Sequence, residues 1–174
     1  NGTIIKNKDF TWDANFNYTT VNNEVKSLYL NQDVNGTYTI LRVGQPINAL
    51  YGYQYAGVNT ANGNPMYTKA DGSLIQGNIP NSLYYLATKG SATLGAASTL
   101  AATDRTILGN VIPTFFGGFS NTVKYRDFSL DFLFRFSGGN KIMNVTRQEA
   151  LLSQGFVNND KEILQRWTAA GQVT

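Results

Sequence analysis

The stretch Arg126–Phe136, with the sequence RDFSLDFLFRF, alternates apolar and polar side chains with a period of two. A second stretch, Lys8–Tyr18, has the sequence KDFTWDANFNY and the same period. Because successive side chains of a β-strand point to opposite faces, each stretch predicts a strand with one aromatic and one polar face. About nine residues of tilted strand cross the hydrocarbon core of a bilayer, and both stretches reach that length. The pattern is typical of a transmembrane β-barrel wall, apolar toward lipid and polar toward the lumen.

A two-residue turn fixes the register of the second strand. With Arg126 and Asp127 as the loop, Tyr125 lies opposite Phe128, and only this register keeps the apolar residues of both strands together. A slip of one residue would invert one of the two strands.

Lys8 and Asp9 are expected to form the corresponding turn of a first hairpin, which places Ile5 opposite Trp12. The two hairpins together define the side chains that we expect to face lipid: Phe10, Trp12, Phe16, Tyr18, Val123, Tyr125, Phe128, Leu130, Phe132, Phe134 and Phe136.

Two other classes of protein share part of this pattern. A half-buried strand of a soluble β-sandwich also alternates, so an extracellular adhesin or glycan-binding module is one alternative. A structural outer-membrane barrel without a transport role is another. An open aromatic face on Phe128–Phe136 favours a barrel, and a face covered by a second sheet favours a sandwich.

Composition excludes several classes of function. The 174 residues have the length of one domain, with 13% aromatic and 14% charged residues. The net charge of +3 comes without a run of basic residues, which argues against nucleic-acid binding. The sequence contains no His and no Cys, so it excludes Ser-His-Asp and Cys-His catalysis and thiolate or imidazole metal sites. No carboxylate pair stands out, and we expect neither an enzyme nor a cofactor.

A long polar segment rich in Gly and Asn, residues 22–112, separates the alternating stretches. One run within it, Leu50–Tyr55, alternates and predicts a single short strand with Tyr51, Tyr53 and Tyr55 on one face. If both tight turns are periplasmic, an even number of membrane crossings, most simply zero, separates the two long strands. The segment is then one extracellular excursion, since such barrels have long loops outside.

The C-terminal part is predicted to contain more strand and two short helices. Lys141–Val145 would extend the last strand, and helices are expected at Thr146–Leu152 and Asp160–Ala170, the second with Asp160 as its cap and a Glu162–Arg166 pair. We expect a fragment of one barrel domain, cut from a longer protein. Residues 1–20 form a hairpin and strand, 21–112 a long extracellular loop, 113–138 a transmembrane hairpin and 139–174 an extracellular loop with helices.

An ordered set of motifs resembles one known family over essentially the whole chain. The motifs are Val43–Ile47 (VGQPI), Tyr51–Tyr53 (YGY), Asp104–Asn110 (DRTILGN), Gly117–Phe119 (GGF), Tyr125–Phe128 (YRDF) and Arg166–Thr168 (RWT). They are similar to the later barrel portion of the SusC/RagA-type TonB-dependent outer-membrane transporters.

The resemblance implies a barrel of about 22 strands around a plug, in the outer membrane of a bacterial cell. It also implies a SusD-like surface lipoprotein as partner, and import of glycans or peptides with energy delivered by TonB. The plug domain and the segment that contacts TonB would lie outside this sequence. Family members often carry an acidic, calcium-site-like loop before the DRxxLGN motif. Here residues 91–103 contain no acidic side chain, so no metal is expected.

Candidate binding residues fall into two groups, each with a structural alternative. Asp13, Asp131 and Arg135 on the polar face could contact cargo or form an ion-pair lattice in the wall. The aromatic residues Tyr51, Tyr53, Tyr55 and Trp167 could stack on sugar rings, or pack a loop or a partner protein.

Overall fold

The computed structural model describes residues 2–78, 81, 83–151 and 158–173. The all-β antiparallel class predicted from the sequence is confirmed, with little helix among these residues. The strands, in chain order, are β1 (Gly2–Lys6), β2 (Phe10–Thr20), β3 (Val34–Asn35), β4 (Thr39–Leu41), β5 (Ala49–Val58), β6 (Pro65–Thr68), β7 (Leu74–Asn78), β8 (Leu83–Leu86), β9 (Ala97–Ser98), β10 (Arg105–Gly109), β11 (Phe115–Tyr125) and β12 (Phe128–Gly138).

Single helical turns interrupt these strands. Three are 3-10 turns, at Tyr29–Asn31, Ala102–Asp104 and Lys161–Gln165, and one at Arg147–Leu151 is π-helical. No helix in the described ranges combines the length and the apolar character that crossing a membrane requires.

The chain divides into two compact units. The first unit comprises residues 1–35, 40–49 and 109–141, and the second comprises residues 36–39, 50–108 and 142–174.

A four-stranded sheet with the order β1-β2-β11-β12 lies in the first unit. Its last hairpin has the predicted register, with Tyr125 opposite Phe128 and Thr122 opposite Asp131. The first hairpin also has the predicted register at Ile5 and Trp12, and a bulge follows toward Thr3. These registers confirm both predicted two-residue turns. The turns could be predicted because the period of two and the turn sequence specify the same pairing.

β2 and β11 pair directly along their whole length. The register runs from Thr20 opposite Phe115 to Phe10 opposite Tyr125, without interruption. Within the described part of the chain no strand lies between them in the sheet, and the two strands are antiparallel. Residues 21–114, hereafter the insert, thus connect two neighbouring antiparallel strands.

The insert contains far more strand than the sequence predicted. β5 is ten residues long rather than a short run; it pairs with β6 and with β10, and the sheet continues from β6 through β7, β8 and β9. The prediction of one isolated short strand is wrong, because the additional strands are only two to five residues long, too short to show an alternating pattern.

The C-terminal predictions need two corrections. β12 ends at Gly138 and is not extended by Lys141–Val145; Gly139 has a φ of +79°, which turns the chain away. The helix expected at Asp160–Ala170 is only the 3-10 turn Lys161–Gln165.

The predicted cap of that turn is present, since Asp160 accepts a hydrogen bond from the Glu162 N–H at 2.9 Å. The expected Glu162–Arg166 pair does not form. Glu162 instead pairs with Arg147, at 2.8 Å. At the other predicted helix, the π-helical turn lies inside Thr146–Leu152, and Leu152 lies outside the described residues.

Candidate functional site

A row of alternating hydroxyl and carboxylate side chains crosses the polar face of the four-stranded sheet. Thr3, Asp13, Thr122 and Asp131 lie opposite one another on successive strands. The Thr3 hydroxyl donates to Asp13 Oδ1 at 2.6 Å, and the Thr122 hydroxyl donates to Asp131 Oδ1. Among the described residues, neither carboxylate pairs with a cation. The row places two anionic groups on one exposed polar surface.

Arg135 lies on the same face but apart from the acidic row. It lies opposite Gly118, two residues further along β12 than Leu133, which lies opposite Ser120. Four residues of strand separate it from Asp131, or about 13 Å at the usual rise. The structure therefore brings Asp13 and Asp131 into one row and leaves Arg135 as a separate exposed cation.

The opposite face of the sheet is aromatic and uncovered. Phe128 is 80% exposed, Phe134 62% and Phe16 60%, so in the described parts of the chain no second layer packs on them. Phe136 stacks across β11 on Phe16 and Tyr18, with ring centroids 6.0 and 6.3 Å apart. The open face is the observation that favours a barrel wall over a sandwich.

One polar residue on this aromatic face was missed by the sequence analysis. Asn121 is only 3% exposed, and its Oδ1 accepts a hydrogen bond from the Trp12 indole at 3.0 Å. The sequence did contain a signal for this residue, because the period of two places Asn121, a polar residue, on the apolar side of its strand.

The second unit holds the tyrosines predicted as stacking residues, and they divide into two groups. Tyr51 and Tyr53 lie against the guanidinium of Arg105, whose Cζ is 5.8 and 5.5 Å from their ring centroids. Such distances are those of a cation–π contact.

Tyr55 instead begins a ladder of edge-to-face rings across the sheet. Its ring centroid is 5.9 Å from that of Tyr67, which is 6.3 Å from that of Tyr84. Burial, followed by the neighbouring rings of Tyr84 and Tyr55, raises the pKa of Tyr67. The ladder packs the sheet, and Tyr55 keeps 57% of its surface exposed.

Asp104 fixes the start of β10. Its two carboxylate oxygens accept the backbone N–H groups of Ala101 at 2.8 Å and Ala70 at 3.1 Å. These hydrogen bonds, from Ala101 and then Ala70, lower the pKa of the buried Asp104 carboxyl below its usual value. Asp104 thus ties the Lys69–Ser73 turn to β10 without using a cation.

A cavity of about 380 Å³ opens beside this junction. Lys69 and Arg105 bring positive charge to its wall, and Gln54, Thr68 and Thr106 bring neutral polar groups. The sequence analysis noted the DRTILGN motif but did not identify Asp104 or Arg105 as site residues. The adjacent acidic and basic side chains within that motif were the sequence feature that could have identified them.

Trp167 packs against the turn at Asn59–Asn64. Its indole N–H donates to the Thr60 carbonyl at 3.1 Å. Its ring lies so close to Gly63 that a β-carbon added to this glycine would be only 2.4 Å from Cε3 of the ring. One surface of the ring is therefore occupied by protein, and stacking on a ligand stays a prediction.

Comparison with known proteins gives consistent matches. No family model matches the chain. It is 29% identical, over 97% of its length, to TonB-dependent receptor P3 of Formosa agariphila, and 30% identical over 79% of its length to TonB-dependent receptor P39 of the same organism. The chain spans only 17% and 16% of these relatives.

Solved structures of the RagAB peptide transporter have the same fold. One matches with a TM-score of 0.72 and 24% identity, over 99% of this chain and 19% of the other. The 'closed-closed' state of the RagAB peptide importer matches with a TM-score of 0.69 and 25% identity, over 99% and 19%. These proteins are named as receptors and transporters rather than as enzymes. The family resemblance predicted from the motifs is confirmed, and the chain is a homologue of one part of the SusC/RagA-type TonB-dependent receptors.

Proposed function

We propose that the chain forms part of the wall and the surface loops of a bacterial outer-membrane importer for glycans or peptides. The observation that carries the proposal is the four-stranded sheet. Three of its strands are eleven residues long, its aromatic face is uncovered, and a long insert connects two of its neighbouring strands.

The uncovered face supports contact with lipid. A large exposed aromatic patch on a protein in water marks a binding surface, and a strand of this length matches the thickness of a bilayer. We assign this face, with the eleven side chains predicted above, to the hydrocarbon. Asn121 is a polar group on this face: its Oδ1 accepts from the Trp12 indole, and its buried Nδ2 has no hydrogen-bond partner among the described residues.

The same arrangement orients the rest of the chain. Residues 1–20 and 113–138 are assigned to the membrane wall, with the turns at Lys8–Asp9 and Arg126–Asp127 on the periplasmic side. Residues 21–112 and 139–174 are assigned to the extracellular side. Asp13, Asp131 and Arg135 then face the lumen, where Asp13 and Asp131 offer acceptors and Arg135 a donor to passing cargo.

Cargo and partners follow from the family. The structural likeness to the RagAB peptide transporter supports peptides as the first cargo to test. We also propose a SusD-like lipoprotein as the surface partner, with energy delivered by TonB. Both interactions require the full-length protein, of which this chain is a minor part.

Single-cysteine labelling of the full-length importer on intact cells tests the orientation. The sequence of this chain contains no cysteine, so one can be introduced at a time. We expect a hydrophilic maleimide to label Lys89→Cys in the insert directly, and Asp127→Cys only after the outer membrane is permeabilised. The neighbours Phe134→Cys and Arg135→Cys form a matched pair, and only the latter should react with the hydrophilic reagent.

Labelling of Phe134→Cys and Arg135→Cys at equal rates would refute the assignment of the two faces. Transport is tested separately, by uptake of labelled oligopeptides and oligosaccharides in cells with and without TonB. Uptake that is independent of TonB would contradict the importer proposal.

A further inference from the structure

We propose that Arg105 and Lys69 form a subsite for a carboxylate group in the cavity of the second unit. The inference deepens the proposed function and rests on it, because the carboxylate would belong to the imported cargo.

The first support is the state of the Arg105 guanidinium. Its Nε is buried and has no hydrogen-bond partner, and among the described residues the guanidinium forms no ion pair. Among the described residues, the guanidinium lies over the rings of Tyr51 and Tyr53, which accept no conventional hydrogen bond. A buried donor without an acceptor destabilises the protein, and an acceptor on a ligand would remove that cost.

The second support is the surrounding charge. The carboxylate that is nearest in sequence, Asp104, is already engaged by the N–H groups of Ala101 and Ala70 and makes no ion pair with Arg105. Lys69 lines the same cavity and contacts only a neutral partner by hydrogen bond, the Ser98 hydroxyl at 3.3 Å. Two cations therefore line the cavity together with one carboxylate, Asp104, whose hydrogen bonds go to backbone N–H groups.

The third support is the size and chemistry of the cavity. At about 380 Å³ it admits a small residue, and Gln54, Thr68 and Thr106 supply neutral donors and acceptors around the cations. A guanidinium presents two parallel N–H groups, which match the two oxygens of a carboxylate. The Tyr51 and Tyr53 rings pre-orient this fork, so little side-chain entropy remains to be lost on binding.

A carboxylate can reach this site from two sources: the C-terminus or an acidic side chain of a peptide, or the uronic acid of a glycan. The chemistry on the protein side is the same. The test therefore includes both, each with a probe that lacks the charge.

The experiment measures binding to the purified full-length importer by calorimetry. One pair of probes is acetyl-trialanine and its C-terminal amide, and the other is digalacturonate and neutral galactobiose. We expect the carboxylate form of at least one pair to bind about 10- to 100-fold more tightly than its uncharged form, the range for a charge-assisted hydrogen bond. Arg105→Gln and Lys69→Gln should each reduce that preference.

Lys89→Gln is the matched control, because Lys89 is an exposed lysine of the same unit that does not line the cavity. It should leave the preference unchanged. Arg105→Lys keeps the charge without the fork and should retain part of the preference, which guards against misfolding of the glutamine variant.

Equal binding of charged and uncharged probes by the wild-type protein overturns the subsite. So does a preference that survives both Arg105→Gln and Lys69→Gln. If Arg105→Gln lowers only the melting temperature, the guanidinium partner is another segment of the receptor and the proposal is wrong. TonB-dependent uptake by the wild-type importer is a separate measurement that uses none of these variants, so failure of the subsite is distinguishable from failure of the importer proposal.

Discussion

Gly117 is the position at which a single methyl group should most damage the four-stranded sheet. A β-carbon there would lie 2.4 Å from the Asn17 carbonyl oxygen and 2.4 Å from Cζ of Phe136. Because one of these atoms is backbone, side-chain rotation alone cannot relieve the clash. Because Gly117 has no side chain, the Phe136 ring has room to lie over it and stack on the rings of Phe16 and Tyr18.

The neighbouring Gly118 provides the matched control. A β-carbon at Gly118 would meet nothing closer than a Leu133 methyl carbon at 3.4 Å, which is ordinary contact. Replacing a strand glycine by alanine gains about 0.5–1 kcal/mol where space allows. We expect Gly118→Ala to be neutral or slightly stabilising.

For Gly117→Ala the gain is outweighed by two losses. Overpacking costs about 1–3 kcal/mol, and each disrupted aromatic pair costs about 0.5–1.5 kcal/mol beyond its buried area. With two pairs at Phe136, the free energy of unfolding should fall by about 2–4 kcal/mol net.

The assay is guanidinium unfolding of the full-length protein in lipid vesicles, followed by loss of the heat-modifiable band on electrophoresis. Gly117→Ala combined with Phe136→Leu should recover the part of the loss that comes from the ring. Equal unfolding midpoints for Gly117→Ala and Gly118→Ala would show that the gap at Gly117 has no role in the sheet.

Three further predictions concern single contacts. Trp12→Phe removes the donor to Asn121 and should destabilise the sheet by about 1–3 kcal/mol, whereas adding Asn121→Leu should restore most of the loss; unfolding midpoints of the two variants decide this. Gly63→Ala should destabilise the second unit more than Gly72→Ala, because both glycines have a φ near +80° but only at Gly63 would the added β-carbon clash with a ring, that of Trp167. The rates at which a protease cleaves the two variants within this unit compare the two effects. Asp104 has a lowered pKa in the folded protein, so its contribution to stability is present above the unfolded value of about 3.9 and is lost as pH falls through the folded pKa. Hydrogen exchange at the Ala70 and Ala101 amides, corrected for its intrinsic pH dependence, should lose protection only in strongly acidic solution, and Asp104→Asn should already reduce that protection at neutral pH.

The part of the fold that could be predicted from sequence is the part that repeats with a period of two. In the hairpin around Arg126 and Asp127, alternation and turn geometry specify the same register, so Tyr125 and Phe128 could be paired without a structure. The polar row was partly predictable for the same reason, since Thr122 opposite Asp131 follows from that register. The pairing of Asp13 with Thr3 across a bulge does not follow from it.

The insert could not be predicted, because its core does not obey the same pattern. Gln76 and Asn59 are fully buried, and the Asn59 amide donates to Gln76 Oε1 at 2.8 Å. Sequence reasoning assigns a polar residue such as Gln76 to a loop, so β7 was missed. The cavity was missed for a related reason: Arg105 reaches Tyr51 and Tyr53 only because β10 pairs with β5, a contact between distant segments that no local pattern records.

The point at which the insert leaves the sheet explains how so long a segment can be accommodated. Beyond the last pair, Thr20 with Phe115, the Val21 N–H still donates to the Thr114 carbonyl at 2.8 Å, so both ends of the insert are held as neighbours. Lengthening a flexible loop is inexpensive once its ends are joined, at about 0.6 kcal/mol for each doubling. Within the insert, β5 to β8 also pair with one another through backbone hydrogen bonds. Its sequence can therefore change without altering the register of β2 and β11, and under the proposed function this separates the residues that select cargo from those that form the wall.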